Sequence, residues 1–235
     1  MYRIVNRAPN GFLLAVAPFL FLFSHAALAQ VGDDWLCRNS MPDDGIKACT
    51  RQIESGKLQG RALAVAYMVR GVMYRDLSGF EQFDAPKEKL EEYNRHEKSD
   101  YDTAIKIDPT YEPIFYNRGL YYYENEEYDL ALADFSESIR LGPKERNMRR
   151  QSDFSNRDAE QQTGDSFCGR GRTYFKKSDF DHAIADYTKC LEFDPKKAQA
   201  MFDRALAYKA KGDTAHADAD FDRAIKLDPK LKRPD

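Results

Sequence analysis

Phe180 to Pro195 reads FDHAIADYTKCLEFDP, and further along the chain Thr214 to Pro229 reads TAHADADFDRAIKLDP. His182, Ala183, Asp186 and Asp194 return as His216, Ala217, Asp220 and Asp228. Alone, the first stretch sets His182, Asp186 and Cys190 on one side of a helix, as a metal site or a nucleophile with its base would be. Beside its twin it becomes one unit of a repeat. YDLALADFSESIRLGP (Tyr128 to Pro143) is a third copy, and SDYDTAIKIDP (Ser99 to Pro109) ends a fourth, weaker one. A fixed period of this length marks stacked supersecondary units.

A second helical pattern precedes each copy, with a small residue and a tyrosine three places later. These are YMVRGVMYR (Gly71, Tyr74), FYNRGLYYY (Gly119, Tyr122), FCGRGRTYF (Gly171, Tyr174) and MFDRALAYK (Ala205, Tyr208). Small residues let two helices approach closely, and large aromatics fill the space between neighbouring pairs. Pro109, Pro143, Pro195 and Pro229 stand where each second helix should stop, because proline has no amide hydrogen to continue the ladder. The step from Pro109 to Pro143 equals that from Pro195 to Pro229, whereas Pro143 to Pro195 is half as long again.

The pattern resembles the tetratricopeptide repeat, a helix–turn–helix unit of about 34 residues with Gly, Tyr, Ala, Phe and Pro at set offsets. Those offsets fall on Gly119, Tyr122, Ala131, Phe135 and Pro143, then on Gly171, Tyr174, Ala183, Tyr187 and Pro195. In the last copy they fall on Ala205, Tyr208, Ala217, Phe221 and Pro229. The resemblance implies an all-α protein, a right-handed α-solenoid of about four repeats over 61–229 with an N-terminal half-repeat cap. The repeats fall at about 61–109, 112–143, 164–195 and 198–229, and 230–235 form a tail. Two places depart from the pattern. The first repeat has about 14 residues more than the period allows between its helices, and Glu97 stands where a small alanine is expected. There SGFEQFDAP reads as a turn with exposed Phe80 and Phe83, and KEKLEEYNRHEKSDYDTAIKI as one long helix. The other departure, Lys144 to Thr163, is polar and reads either as a loop or as an extension of the following helix.

The N-terminal end has a different character. Arg3 and Arg7, the apolar run Gly11 to Phe23 and the small-residue site Ala27-Leu28-Ala29 are laid out as a secretory signal peptide over 1–29. The alternative, an uncleaved anchor, is disfavoured because the run is short of the roughly 20 residues a bilayer span needs. Cleavage leaves 34 basic against 39 acidic residues, a net charge of −5, which argues against a nucleic-acid surface. Residues 30–60 read as the cap. GIKACTRQIESG (Gly45 to Gly56) aligns with the second-helix pattern, with Asp43 or Asp44 to cap its start and Gly56 its end. The four cysteines of an exported chain allow three pairings. Local pairing is preferred, more firmly for Cys37 with Cys49, which would tie an irregular WLCRNSMPDD stretch onto the helix, than for Cys168 with Cys190.

Chemistry finds little support in these residues. Cys190 becomes Ala224 in the last repeat and Ser138 in the second, so its place is that of a small packing residue. His182 and Asp186 read as polar residues on the outer part of a helix, and one thiol among three ligands makes a poor zinc site. No nucleophile, zinc or phosphate-loop motif occurs, and GRGR (Gly169 to Arg172) lies within a repeat helix. No catalytic residue, metal or cofactor is therefore implied.

The resemblance does imply a concave groove lined by the first helix of each pair, where a partner peptide lies. Carried over residue by residue, the groove takes Met68 and Val72, then Tyr116, Asn117, Leu120 and Tyr123. It continues with Arg172, Phe175 and Lys176, and ends with Phe202, Asp203, Leu206 and Lys209. It is aromatic in the middle and basic beyond, suited to a segment with apolar anchors and an acidic residue. The expected role is that of a secreted or periplasmic adaptor or scaffold that binds a protein, with no stable membrane span once the leader is removed. The rival readings are envelope assembly by self-association of repeat ends and an enzyme whose site is unrecognised.

Overall fold

The computed structural model describes residues 33–149 and 155–234; the expected leader over 1–29 and its cleavage site lie outside them. Ten helices and no strand occur among the described residues, and none of the helices is long and apolar enough to cross a membrane. Two short helices, α1 (Asp33–Asn39) and α2 (Pro42–Glu54), precede four antiparallel pairs. The pairs are α3 (Gly60–Glu81) with α4 (Lys87–Ile107), and α5 (Glu112–Glu124) with α6 (Tyr128–Arg149). They continue with α7 (Ser155–Lys176) and α8 (Phe180–Phe193), then α9 (Ala198–Ala210) and α10 (Thr214–Leu227). Each second helix also packs on the first helix of the next pair, and first helices touch along the array, so this is an α-solenoid.

The small residues and aromatics meet as their spacing predicts. A Cβ placed on Gly71 would lie 2.7 Å from the Tyr101 ring, on Gly119 3.0 Å from Phe135 and on Gly171 3.1 Å from Tyr187. Tyr101, Phe135, Tyr187 and Phe221 are each buried, at the same place in the second helix of successive pairs. Three of the hairpin turns have one residue in the left-handed region at the same position, and it is glycine only in the last: Glu126 (φ 60°), Ser178 (φ 61°) and Gly212 (φ 80°). Behind two of these turns Asp179 and Asp213 cap α8 and α10 by accepting the backbone N–H of His182 and His216.

The insertion in the first repeat lengthens both helices. Relative to α9 and α10, α3 runs five residues further and α4 starts seven earlier, so the helical part of SGFEQFDAP reaches Glu81 and only Gln82–Pro86 turn. Phe80 and Phe83 are exposed there, at 68% and 88%.

Four local expectations are corrected. WLCRNSMPDD is not irregular, because α1 takes its first half and the start of α2 its last three residues; Cys37 is bonded to Cys49 and packs with Leu36 and Val69, contacts that hold a helix too short to persist alone. Neither Asp43 nor Asp44 caps α2. The helix starts one residue earlier at Pro42, whose missing N–H is no loss in a first turn, and both aspartates sit inside that turn. Pro143 does not end its helix, since α6 runs on to Arg149. The reason is a packing partner: α7 begins early, at Ser155, and lies so close that a Cβ on Gly142 would collide with Thr163. Of the Lys144 to Thr163 stretch, residues 144–149 extend α6 and residues 155–163 belong to α7, so both helices gain and not only the following one.

At the other end the chain after α10 folds back on it. Arg233 pairs with Asp218 (3.0 Å) and Asp222 (2.9 Å) and lies 5.3 Å over the Phe221 ring.

Candidate functional site

His182, Asp186 and Cys190 share a helix face but serve three separate structural partners. The His182 ring pairs with Asp179 at 2.8 Å and stacks on Tyr174 at 5.0 Å. Cys190 is bonded to Cys168 across α7 and α8. Asp186 is not an outward polar residue: it is 5% exposed and takes two hydrogen bonds from the Arg170 guanidinium, at 2.7 and 2.8 Å. Among the described residues no group of three or more His, Cys, Asp or Glu is placed to hold a metal ion.

The Arg170–Asp186 pair belongs to a series. Arg118 grips Asp134 at 2.7 and 2.9 Å, Arg204 grips Asp220 at the same two distances, and Arg70 grips Asp100 at 2.8 and 2.7 Å. A further N–H of each guanidinium reaches back to the preceding helix pair or cap, at Thr50 from Arg70, Asp102 from Arg118, Ser136 from Arg170 and Thr188 from Arg204. Each arginine thus ties its own hairpin together and ties it to its neighbour. This fork sets the spacing of the helices that present the groove. The sequence carries the signal, an arginine directly before each small residue and an aspartate at a constant offset beyond it, lengthened only where the insertion intervenes.

On the first helices, five of the expected groove residues come together. Tyr123, Arg172, Phe175, Asp203 and Leu206 line a shallow pocket of about 110 Å³, with Tyr187 as its floor. The Arg172 guanidinium lies 5.9 Å from the centre of the Tyr123 ring, and Phe175 packs at 5.4 Å on Phe180. Asp203 accepts from Gln199 at 2.7 Å, and burial raises its carboxyl above the usual range, against the pull of Arg172. Tyr187 reads from the sequence as core alone. It is core, 1% exposed, yet its edge faces this pocket.

The other expected groove residues lie along the same row without joining that pocket. Met68, Val72, Tyr116 and Leu120 are half-buried against the cluster around Tyr101 and Phe135. Phe202 packs edge-on to Phe221 at 5.1 Å. Asn117 is engaged by its own helix, its amide donating to the Pro113 carbonyl at 2.8 Å. Lys176 is exposed, and Lys209 reaches the Pro234 carbonyl at 3.1 Å. The register that selects Tyr123, Phe175 and Lys209 also selects Arg75, and the one that selects Lys176 selects Asp76 and Glu124. Those three residues are open to the same reasoning, and they make the groove acidic at its first-repeat end.

Models of the tetratricopeptide repeat match residues 164–197 and 198–231. Solved structures resemble nearly the whole chain. A crystal structure of MamA has a TM-score of 0.60 at 18% identity, covering 85% of this chain and 95% of its own. MamA from Desulfovibrio magneticus RS-1 has a TM-score of 0.62 at 13% identity, covering 88% and 97%. At such identities the likeness speaks for the fold alone. No curated protein matches the chain in sequence.

Proposed function

The chain belongs to the tetratricopeptide-repeat proteins, and from that premise we propose that it is a protein-interaction scaffold whose groove holds an extended segment of a partner protein. The observation that carries the reading is the pocket between α5, α7 and α9. Residues from three successive repeats converge on it, combining three aromatic rings, an aliphatic side chain, a guanidinium and the Asp203 carboxyl. Such a surface takes an apolar anchor and places a cation beside it for an acidic neighbour. The scaffold acts in the cell envelope or outside the cell. The leader-like residues 1–29 support that location, as do the two disulfides, which persist in oxidising compartments. Self-association through the last repeat is the weaker reading, because the Arg233 segment already covers part of α10.

The test is photo-crosslinking in cells from Tyr116 or Tyr123, followed by mass spectrometry. A defined partner should appear, and Phe175→Ala with Leu206→Ala should reduce its yield at least tenfold. A partner profile unchanged by those substitutions refutes the groove.

A further inference from the structure

Glu97 breaks the rule that the other repeats keep. At its place on the second helix stand Ala131, Ala183 and Ala217, each buried against the first helix. Glu97 is as deeply buried, 2% exposed, yet its Oε1 and the nearby Tyr101 hydroxyl have no hydrogen-bond partner among the described residues. The Tyr101 hydroxyl acts on the Glu97 carboxyl as a nearby hydrogen-bonding group and favours its charged form, yet neither Oε1 nor that hydroxyl has a partner in full hydrogen-bond geometry. The charged groups facing Glu97 are Arg75 and Asp76 of α3 and Glu124 of α5, with Tyr101 on its own helix. Arg75 does not grip it. That guanidinium points to Asn117 at 3.5 Å and to Asp76 at 3.9 Å, unlike the four arginines held by aspartates. A buried carboxyl without a partner is costly, and a chain that breaks its own repeat rule at such a cost marks a site.

The space in front of Glu97 is built by the insertion. Ser78 and Gly79 belong to the five residues added to α3, and Gln82 begins the longer turn. With Asn94 of α4 and Glu124 and Asn125 at the end of α5 they enclose a cleft of about 320 Å³. The side chains that line it are polar: the carboxyls of Glu97 and Glu124, the Arg75 guanidinium, and the amide and hydroxyl groups of Gln82, Asn94, Asn125 and Ser78, with Asp76 also acting on Arg75 from outside the cleft. Those acceptors fit a ligand with a positive charge and several N–H groups.

We propose that this cleft binds a cationic side chain, a lysine or arginine of the segment held in the groove, with Glu97 and Glu124 as its acceptors. The proposal rests on the groove reading for the source of the cation, since Arg75, Asp76 and Glu124 stand on the groove's row. Bound there, an ammonium or guanidinium supplies the partner that Oε1 of Glu97 lacks, and fixes the register of the segment relative to the aromatic pocket.

The experiment titrates the full oxidised chain with L-argininamide and L-lysinamide, cations without a carboxylate, and with acetate as the anionic probe, following backbone amide NMR shifts. Saturable shifts confined to Ser78, Asn94, Glu97 and Asn125 are expected with the two amides and not with acetate. Glu97→Ala restores the residue of the other repeats, so it should fold, and it should weaken argininamide at least tenfold; Glu124→Gln should weaken it several-fold. Burial holds the Glu97 carboxyl protonated up to about 8, against the pull of Arg75, so affinity should rise between pH 6.5 and pH 9 and binding should release a proton. Binding of acetate in place of the amides, or an unchanged Glu97→Ala, overturns the proposal. Argininamide binding without a crosslinked partner at Tyr123 would sink the groove and leave the cleft standing.

Discussion

Replacing Asp186 by alanine should destabilise the protein far more than an exposed helix residue would. The carboxylate is 7% exposed and accepts two charge-assisted hydrogen bonds from Arg170, whose side chain is 21% exposed. Such bonds contribute about 1.5–3 kcal/mol each in net terms. Water reaching the part-exposed guanidinium recovers some of this, leaving a loss of about 3 kcal/mol. The double variant Arg170→Met, Asp186→Ala removes both charges and should cost no more than about 3 kcal/mol, because no unpaired cation remains. Arg170→Met alone strands the buried carboxylate and should cost about 2 kcal/mol, so the two single losses should exceed that of the double by about 2 kcal/mol, the coupling across the cycle. For a chain of this size the single change corresponds to a melting temperature lower by about 6–12 °C. The assay is thermal and urea denaturation of the oxidised protein, followed by helical circular dichroism. Asp220→Ala, in the last hairpin, should act first on that end of the array, since repeats unfold with their neighbours. A coupling below about 0.3 kcal/mol would show that the fork is ornamental and that apolar packing alone spaces the helices.

Glycine should suit the left-handed turn positions now held by Glu126 and Ser178, as it does at Gly212, so Glu126→Gly and Ser178→Gly should each raise stability by up to about 1 kcal/mol in urea denaturation. Denatured but unreduced protein should show no thiol reactive toward Ellman's reagent among the four cysteines, and reduction should lower the melting temperature, the Cys37–Cys49 bridge alone being worth about 2–3 kcal/mol. Glu97 adds a pH dependence of unusual sign. Its carboxyl titrates near 8 in the folded chain, raised by burial above the ordinary 4.5, so the folded state holds the extra proton between those values. Stability should then fall as pH rises from about 5 to about 8, by up to about 4 kcal/mol, and Glu97→Gln should flatten the profile.

The parts of this fold that repeat were legible because two periods coincide. Gly119, Gly171 and Ala205 recur at the place where one helix approaches another, and Phe135, Tyr187 and Phe221 recur opposite them. Packing of that kind depends on residue size, which the letters state directly. The Arg–Asp forks recur just as regularly, yet a rule that sends polar residues outward hides them. Asp186 lies inward only because Arg170 arrives from the neighbouring helix, which is a tertiary fact. The same limit explains Pro143, where the backbone rule ends the helix and packing of α6 on an early α7 carries it on. It also explains α1, a helix of seven residues whose order depends on a bond to a different helix.

The candidate site follows the same division. Tyr123, Phe175 and Leu206 are found by register because the groove repeats with the fold. Arg75, Asp76 and Glu124 obey the same register but lack the aromatic or aliphatic character that marks a peptide groove in a sequence. Glu97 is not on the groove row at all. It becomes informative through two departures that fall in one hairpin: a carboxyl in an alanine's place, and a pair of lengthened helices with room beside it. Either change alone fails physically. Without the longer helices the carboxyl has no cleft to face, and without the carboxyl the cleft has no deep acceptor. A repeat protein that specialises one unit keeps the forks and aromatics that hold the array and alters positions whose cost one hairpin can absorb. By that reasoning specificity resides in the first-repeat cleft and the aromatic pocket together, which share α5: Glu124 lines the one and Tyr123 the other. A partner segment that engages both must cross α5 between its cation and its apolar anchor.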